Sequence, residues 1–104
     1  MIPVRFVIAK ERYSVKRTTY QQDFYVQKHL GKLLRRYRKS LGLTVNKLCI
    51  ELQLLGASIS PGEVYKVESG ARSVTVYELA VLSQVLNIDA SELFSTLVYR
   101  FGSV

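Results

Sequence analysis

The sequence predicts an all-α fold of five helices, preceded by a basic N-terminal extension and followed by an apolar C-terminal tail. Apolar residues recur every three or four positions between residues 26 and 94, which is the period of a helix with one buried face. At Ser60 and Thr75 a helix-capping residue is followed three positions later by glutamate, the signature of a capping box. Gly42, Gly56 and Gly70 stand where the first three apolar repeats end, as expected at helix C-termini.

The first two predicted helices differ in charge. The first covers residues 26–41, with an apolar face and an opposite face that is strongly basic. The basic residues of that face are Lys28, Lys32, Arg35, Arg36 and Lys39. The second helix begins after Thr44, a good N-cap residue, and ends at Gly56. Cys49 lies on its apolar face, so we expect a buried thiol rather than a nucleophile.

The third predicted helix is short. Ser60 is its N-cap, Pro61 occupies the first helical position, where the missing N–H costs nothing, and Glu63 completes the capping box. Val64 and Val67 face inward, and the helix ends before Gly70.

The last two predicted helices close the domain. Thr75 starts the fourth helix, and Asn87 separates it from a fifth helix over residues 89–94. Leu93 and Phe94 of the fifth helix are expected in the core. Tyr37 and Tyr77 also lie on apolar helical faces and are expected to be buried, whereas Tyr65 is expected on the surface.

The two ends of the chain have a different composition. Residues 2–9 and 96–101 are rich in Val, Ile, Phe and Tyr with partial alternation, which predicts a short strand at each end. Residues 10–22 are polar and basic with little apolar periodicity. The predicted organisation is a basic arm over residues 1–24, a helical domain over residues 25–95 and an apolar tail over residues 96–104.

The charge is concentrated in the first part of the chain. The protein has 104 residues, a formal net charge of +7 and a pI near 9.8. Residues 1–39 hold eleven basic and two acidic side chains, or +9, whereas residues 40–104 hold four basic and six acidic ones, or −2. Such an excess favours a polyanionic partner, either a nucleic acid or an anionic membrane surface.

Several function classes are not expected. No apolar run approaches the roughly 20 residues that cross a bilayer, and no signal peptide is recognisable, so we expect a cytoplasmic protein without a membrane span. One cysteine and one histidine leave no ligand set for a metal and no internal disulfide. We expect no cofactor, and no nucleophile or acid–base pair points to an enzyme.

Five motifs follow one another along residues 27–94. They are Leu33 with Arg38, LGLT at 41–44 followed by Leu48, GASIS at 56–60, ESG at 68–70, and ELAVLSQVLNIDASELF at 78–94. In this order they resemble the Cro/CI-type helix-turn-helix family, the XRE-like regulators. The resemblance implies that the third helix lies in the major groove of double-stranded DNA, while the second helix meets phosphate with its N-terminus. It also implies that Glu68 is structural and pairs with an arginine such as Arg38.

The resemblance implies a set of DNA-contacting residues. Near the second helix and after the third, they are Thr44, Asn46, Lys47 and Arg72, with Val45 also close to phosphate. At the start of the third helix they are Ser60, Pro61, Gly62, Glu63, Tyr65 and Lys66. Pro61 and Gly62 depart from the family pattern because they offer no side-chain donor or acceptor to a base. Glu63 has two interpretations, a capping residue, which is favoured, or an acceptor for a cytosine amino group, and a dual role is a third.

The basic arm is the second candidate DNA contact. Because the third helix has few basic groups, Arg12, Lys16 and Arg17 are predicted to follow the DNA backbone or to enter the minor groove. The alternative is a solvated tail.

The leading functional hypothesis is a sequence-specific transcriptional regulator, a repressor that acts as a homodimer through residues 93–101. The alternative is a protein-binding helix-turn-helix module, antitoxin-like or an adaptor, in which DNA binding is weak or secondary. Pro61, Gly62 and Val45, which replaces the family's usual glutamine, motivate this alternative.

Overall fold

A computed structural model describes residues 19–102, with side chains from residue 24 onward. Its elements are α1 (Thr19–Ser40), α2 (Val45–Leu54), α3 (Pro61–Ser69), α4 (Val76–Val85), α5 (Ala90–Leu97) and a π-helical turn (Val98–Gly102). No strand occurs between residues 19 and 102, so the all-α prediction is confirmed for this part of the chain. The strand predicted at residues 2–9 and most of the basic arm lie outside the described residues.

Both ends of the predicted helical domain are corrected. Helix α1 already includes Thr19, the first residue that the structure describes, rather than beginning at residue 26, so the last part of the predicted arm is helical. Neither glycine nor proline interrupts residues 19–30, and extending an existing helix adds one hydrogen bond for each residue that is ordered.

The strand predicted at residues 96–101 is wrong. The side chain of Asp89 accepts hydrogen bonds from the backbone N–H groups of Ser91 at 2.9 Å and Glu92 at 3.4 Å, which starts α5. Leu93 is buried and Leu97, four residues later, packs against the core. The cap and this i, i+4 contact stabilise a helix and outweigh the strand preference of Val98, a weaker effect.

The core lies where the five helices meet. Its least accessible side chains are Leu48, Leu52 and Leu86. Phe94 and Tyr77 are 55% and 57% exposed, so their predicted burial is wrong. Phe94 follows buried Leu93, and successive residues of a helix point about 100° apart, so only one of the two faces the core.

Other predicted core positions agree with the structure in part. Tyr37 packs against the core and Cys49 is partly rather than fully buried. Burial still raises the pKa of the Cys49 thiol, which disfavours the reactive thiolate. Asn87 ends the α4 region with a φ of 56°, in agreement with the predicted break.

Helices α1 and α3 touch backbone to backbone. A Cβ atom added at Gly31 of α1 would overlap the carbonyl oxygen of Val67 and lie 2.8 Å from that of Glu68. At the end of α3, Gly70 has a φ of 84°, and a Cβ there would lie 2.9 Å from the Cα of Lys28. Only glycine permits these approaches, so they fix α3 against α1.

None of the helices between residues 19 and 102 is long and apolar enough to span a membrane. Nowhere in the described part of the chain do three His, Cys, Asp or Glu side chains lie close enough together to bind a metal ion.

Candidate nucleic-acid interface

The first turn of α3 is held by the predicted capping box. The N–H of Glu63 donates to Ser60 Oγ at 3.2 Å, and the N–H of Ser60 donates to Glu63 Oε1 at 3.0 Å. Pro61 occupies the first turn, as expected. Ser60, Pro61 and Gly62 are all exposed, so the start of α3 is capped and open to solvent.

Glu63 is committed to this cap. The hydrogen bonds from Ser60, its backbone N–H first, lower the pKa of the Glu63 carboxyl. Its second oxygen, Oε2, lies 3.8 Å from Nη2 of Arg72. The capping interpretation is confirmed, and the predicted contact with a cytosine stays a prediction.

Arg72, a predicted DNA contact, is engaged within the protein. Its Nη1 and Nη2 donate to Oε1 and Oε2 of Glu78 at 3.1 and 2.9 Å, and Nη1 also donates to the carbonyl of Ser73 at 3.2 Å. These hydrogen bonds to Arg72 are the main reason that the pKa of Glu78 is lowered. Glu78 also accepts the N–H of Thr75 at 3.0 Å, so one carboxylate caps α4 and holds Arg72 in the loop after α3.

The predicted pair between Arg38 and Glu68 is confirmed. Arg38 Nε donates to Glu68 Oε2 at 2.7 Å and Nη2 donates to Oε1 at 3.1 Å, while both side chains are less than 10% exposed. Arg38 Nη1 donates to the carbonyl of Leu43 at 2.8 Å. The pair therefore links α1, the turn before α2 and the end of α3. The buried positive charge of Arg38 and the buried negative charge of Glu68 neutralise each other.

Two cations remain beside α3. Arg35 and Lys66 are exposed and have no ion-pair partner among the described residues. They line an open groove of about 420 Å³ between α1 and α3, whose other lining residues are Arg38, Tyr65, Glu68 and Ser69. Tyr65 is 60% exposed, in agreement with its predicted surface position.

The sequence placed Arg35 on the basic face of the first helix, but Arg35 was not among the predicted DNA-contacting residues. The available signal was its position three residues before Arg38, which places both side chains on neighbouring parts of the α1 surface.

The N-terminus of α2 also faces solvent. The side chain of Thr44 accepts the N–H of Lys47 at 3.1 Å, and Thr44, Asn46 and Lys47 are exposed. Val45 is buried in the core at 6% exposure, so its expected approach to phosphate is wrong. The predicted arm residues Arg12, Lys16 and Arg17 lie outside the described residues.

No family model, curated protein or solved structure matches this chain. Membership of the Cro/CI-type family therefore stays a prediction from the sequence motifs.

Proposed function

We propose that this chain is a sequence-specific DNA-binding transcriptional regulator, a repressor, in which α2 and α3 form a helix-turn-helix. The observation that carries the proposal is the two-sided character of α3. One face is anchored by buried Val64, Val67 and Glu68, and the other presents Tyr65 and Lys66 to solvent. A short helix that packs against the core on one face and is exposed on the other suits insertion into a major groove.

The side chains already engaged limit how α3 reads a sequence. Glu63 caps the helix, Arg72 is paired with Glu78, and Pro61 and Gly62 have no side-chain donor or acceptor. Lys66 is left as the side chain suited to guanine O6 and N7. Much of the affinity then comes from phosphate contacts made by Arg35, by the exposed N-terminus of α2 and by the basic arm.

Selection of bound fragments from random duplex DNA tests the proposal, followed by fluorescence polarisation with the selected duplex. We expect Lys66→Ala to weaken binding by about 1–3 kcal/mol and to relax specificity at one base pair. Arg35→Gln should weaken binding to the selected duplex and to random duplexes equally, because phosphate contacts carry no sequence information.

Lys39→Gln is the matched control, since it removes a positive charge from an exposed position of α1 outside the groove. If the wild-type protein does not bind DNA at about 50 mM salt, although its far-UV circular dichroism spectrum is that of a folded helical protein, the proposal is contradicted.

The proposed assembly is a homodimer through the C-terminal region. Phe94, Val98 and Tyr99 are 55%, 57% and 86% exposed, so α5 and the π-helical turn present large apolar side chains to solvent. Such a surface is costly in water, and a two-fold dimer would bury it. Val98→Ser with Tyr99→Ser should produce monomers in sedimentation velocity, and an unchanged dimer would remove these residues from the interface.

The second candidate function is a protein-binding module with secondary DNA binding. An open groove of about 590 Å³ between the α1–α2 region and α4 favours it, lined by Leu41, Leu43, Glu51, Leu54, Leu55, Gln84 and Val85. Leu54 is 75% exposed there. The occupant we propose is an amphipathic helix of a partner protein, with apolar side chains against the leucines of the groove and polar ones near Glu51 and Gln84. If the leading proposal holds, Leu54→Ser should leave DNA binding intact. If the wild-type protein shows no affinity for DNA, the protein-binding module is supported instead.

A further inference from the structure

A second open cleft lies between α1 and the C-terminal π-helical turn. Its volume is about 410 Å³, within the range of small-ligand sites, and it is lined by Tyr25, Lys28, His29, Lys32, Arg100 and Phe101. None of these residues belongs to α2 or α3, so the cleft is separate from the proposed DNA-reading helix.

An aromatic contact builds the cleft. The rings of His29 and Phe101 meet edge to face, with centroids 5.6 Å apart and an interplanar angle of 65°. Arg100 Cζ lies 5.6 Å from the centroid of Phe101. The contact therefore brings Arg100, from the end of the chain, to the same cleft as Lys28 and Lys32.

Three cations line the cleft. Lys28, Lys32 and Arg100 have no ion-pair partner among residues 24–102. Burial, and then the positive charges of Arg100, Arg36 and Lys32, lower the pKa of His29. Positive charges that line one cleft repel one another, and an anion bound between them reduces that repulsion.

The wall of the cleft also contains an unsatisfied polar atom. His29 Nε2 is buried and has no hydrogen-bond partner in the described part of the chain. A buried polar atom without a partner is unfavourable, and an ordered water or a bound ion is among the explanations for such an atom in a native protein.

We propose that this cleft binds a phosphate group, with Lys28, Lys32 and Arg100 donating hydrogen bonds to its oxygens. The arginine provides a planar pair of donors and the lysines provide point charges, a combination suited to the tetrahedral arrangement of phosphate oxygens. The phosphate belongs either to a small phosphorylated molecule or to a nucleic-acid backbone. The proposal holds whether or not α3 reads DNA.

The single histidine of the chain provides a direct probe of the cleft. The full-length protein, labelled on histidine, is titrated with inorganic phosphate, with ATP and with a random DNA duplex at constant ionic strength. The ring signals of His29 are followed by NMR. We expect a saturable shift with at least one of the three probes.

Two variants and a control test the ligand residues. Lys32→Gln and Arg100→Gln should each raise the dissociation constant about tenfold, because each removes one of three charged donors. Lys39→Gln removes the same charge from α1 outside the cleft and should bind like the wild type. Circular dichroism checks that each variant is folded.

The three probes separate the two sources of phosphate. Saturation by inorganic phosphate or ATP assigns the cleft to a small ligand, and saturation by the duplex alone assigns it to a nucleic-acid backbone. No saturable shift with any probe overturns the proposal. Equal weakening by Lys39→Gln and Lys32→Gln also overturns it, since binding would then reflect net charge rather than the cleft.

Discussion

Replacing Gly31 by alanine tests the packing that holds α3 in place. Gly31 lies inside α1, where alanine is intrinsically favoured over glycine by about 1 kcal/mol. The added Cβ, however, would overlap the carbonyl oxygen of Val67 and lie 2.8 Å from that of Glu68. Both obstacles are backbone atoms, which cannot rotate away as a flexible side chain does.

The steric effect should therefore exceed the gain in helix propensity. Overpacking of this kind costs about 1–3 kcal/mol, and the upper end applies because α1 and α3 must separate. After the propensity gain is subtracted, we expect Gly31→Ala to lower the free energy of unfolding by about 2 kcal/mol.

Gly62→Ala is the matched control. Gly62 is an exposed helical glycine in α3, and the nearest atom to an added Cβ is Ser60 Oγ at 4.0 Å. With no obstacle, alanine should leave stability unchanged or raise it by up to about 1 kcal/mol.

Urea unfolding of both variants, followed by far-UV circular dichroism, measures the two effects. A Gly31→Ala protein as stable as the wild type would refute the close approach of α1 and α3. Gly62→Ala losing as much stability as Gly31→Ala would refute the steric explanation.

Three further predictions follow from other contacts. Glu68→Ala should destabilise the fold by about 3–5 kcal/mol in urea unfolding, because Arg38 is then buried without its partner, whereas Arg38→Met with Glu68→Leu should cost far less. An equal loss in both proteins would argue against an uncompensated charge. The pKa of His29 is lowered in the folded state, mainly by burial, so the unfolded chain binds the proton more tightly. The contribution of neutral His29 to the free energy of unfolding is therefore complete above the ordinary pKa near 6.5 and is lost as the pH falls below it. Between about pH 5 and 7 the free energy of unfolding should fall with decreasing pH, and His29→Gln should reduce this slope. A slope that survives in His29→Gln would assign the effect to other groups. Deletion of residues 1–18 should weaken DNA binding in fluorescence polarisation more than Lys66→Ala does, since the arm is rich in basic charge. The reverse order would place most of the affinity on α3.

The candidate site was predicted best where its contacts are local. The cap formed by Ser60 and Glu63 follows from residues three positions apart, because a capping box needs only one turn of helix. The exposure of Tyr65 and Lys66 follows from the helical period once α3 is placed. Pairing of Arg38 with Glu68 spans 30 residues and was expected only through the family resemblance.

The position of Arg72 was not predictable in the same way. Its side chain was expected to meet DNA, yet Glu78 holds both of its terminal nitrogens. The sequence pattern identified Glu78 as the capping residue of α4. The same pattern does not indicate that this carboxylate also binds an arginine from the preceding loop.

By itself, the sequence determined the helical class, the starts of α3 and α4, and the excess of positive charge in the first part of the chain. These features depend on hydrogen bonds within one turn, on side-chain periodicity or on composition. Only the tertiary structure decided that Gly31 lies against α3, that Phe94 points to solvent and that Arg100 shares a cleft with Lys28 and Lys32. Residues far apart in the chain meet only after the helices pack, and no local pattern encodes which of them will be neighbours.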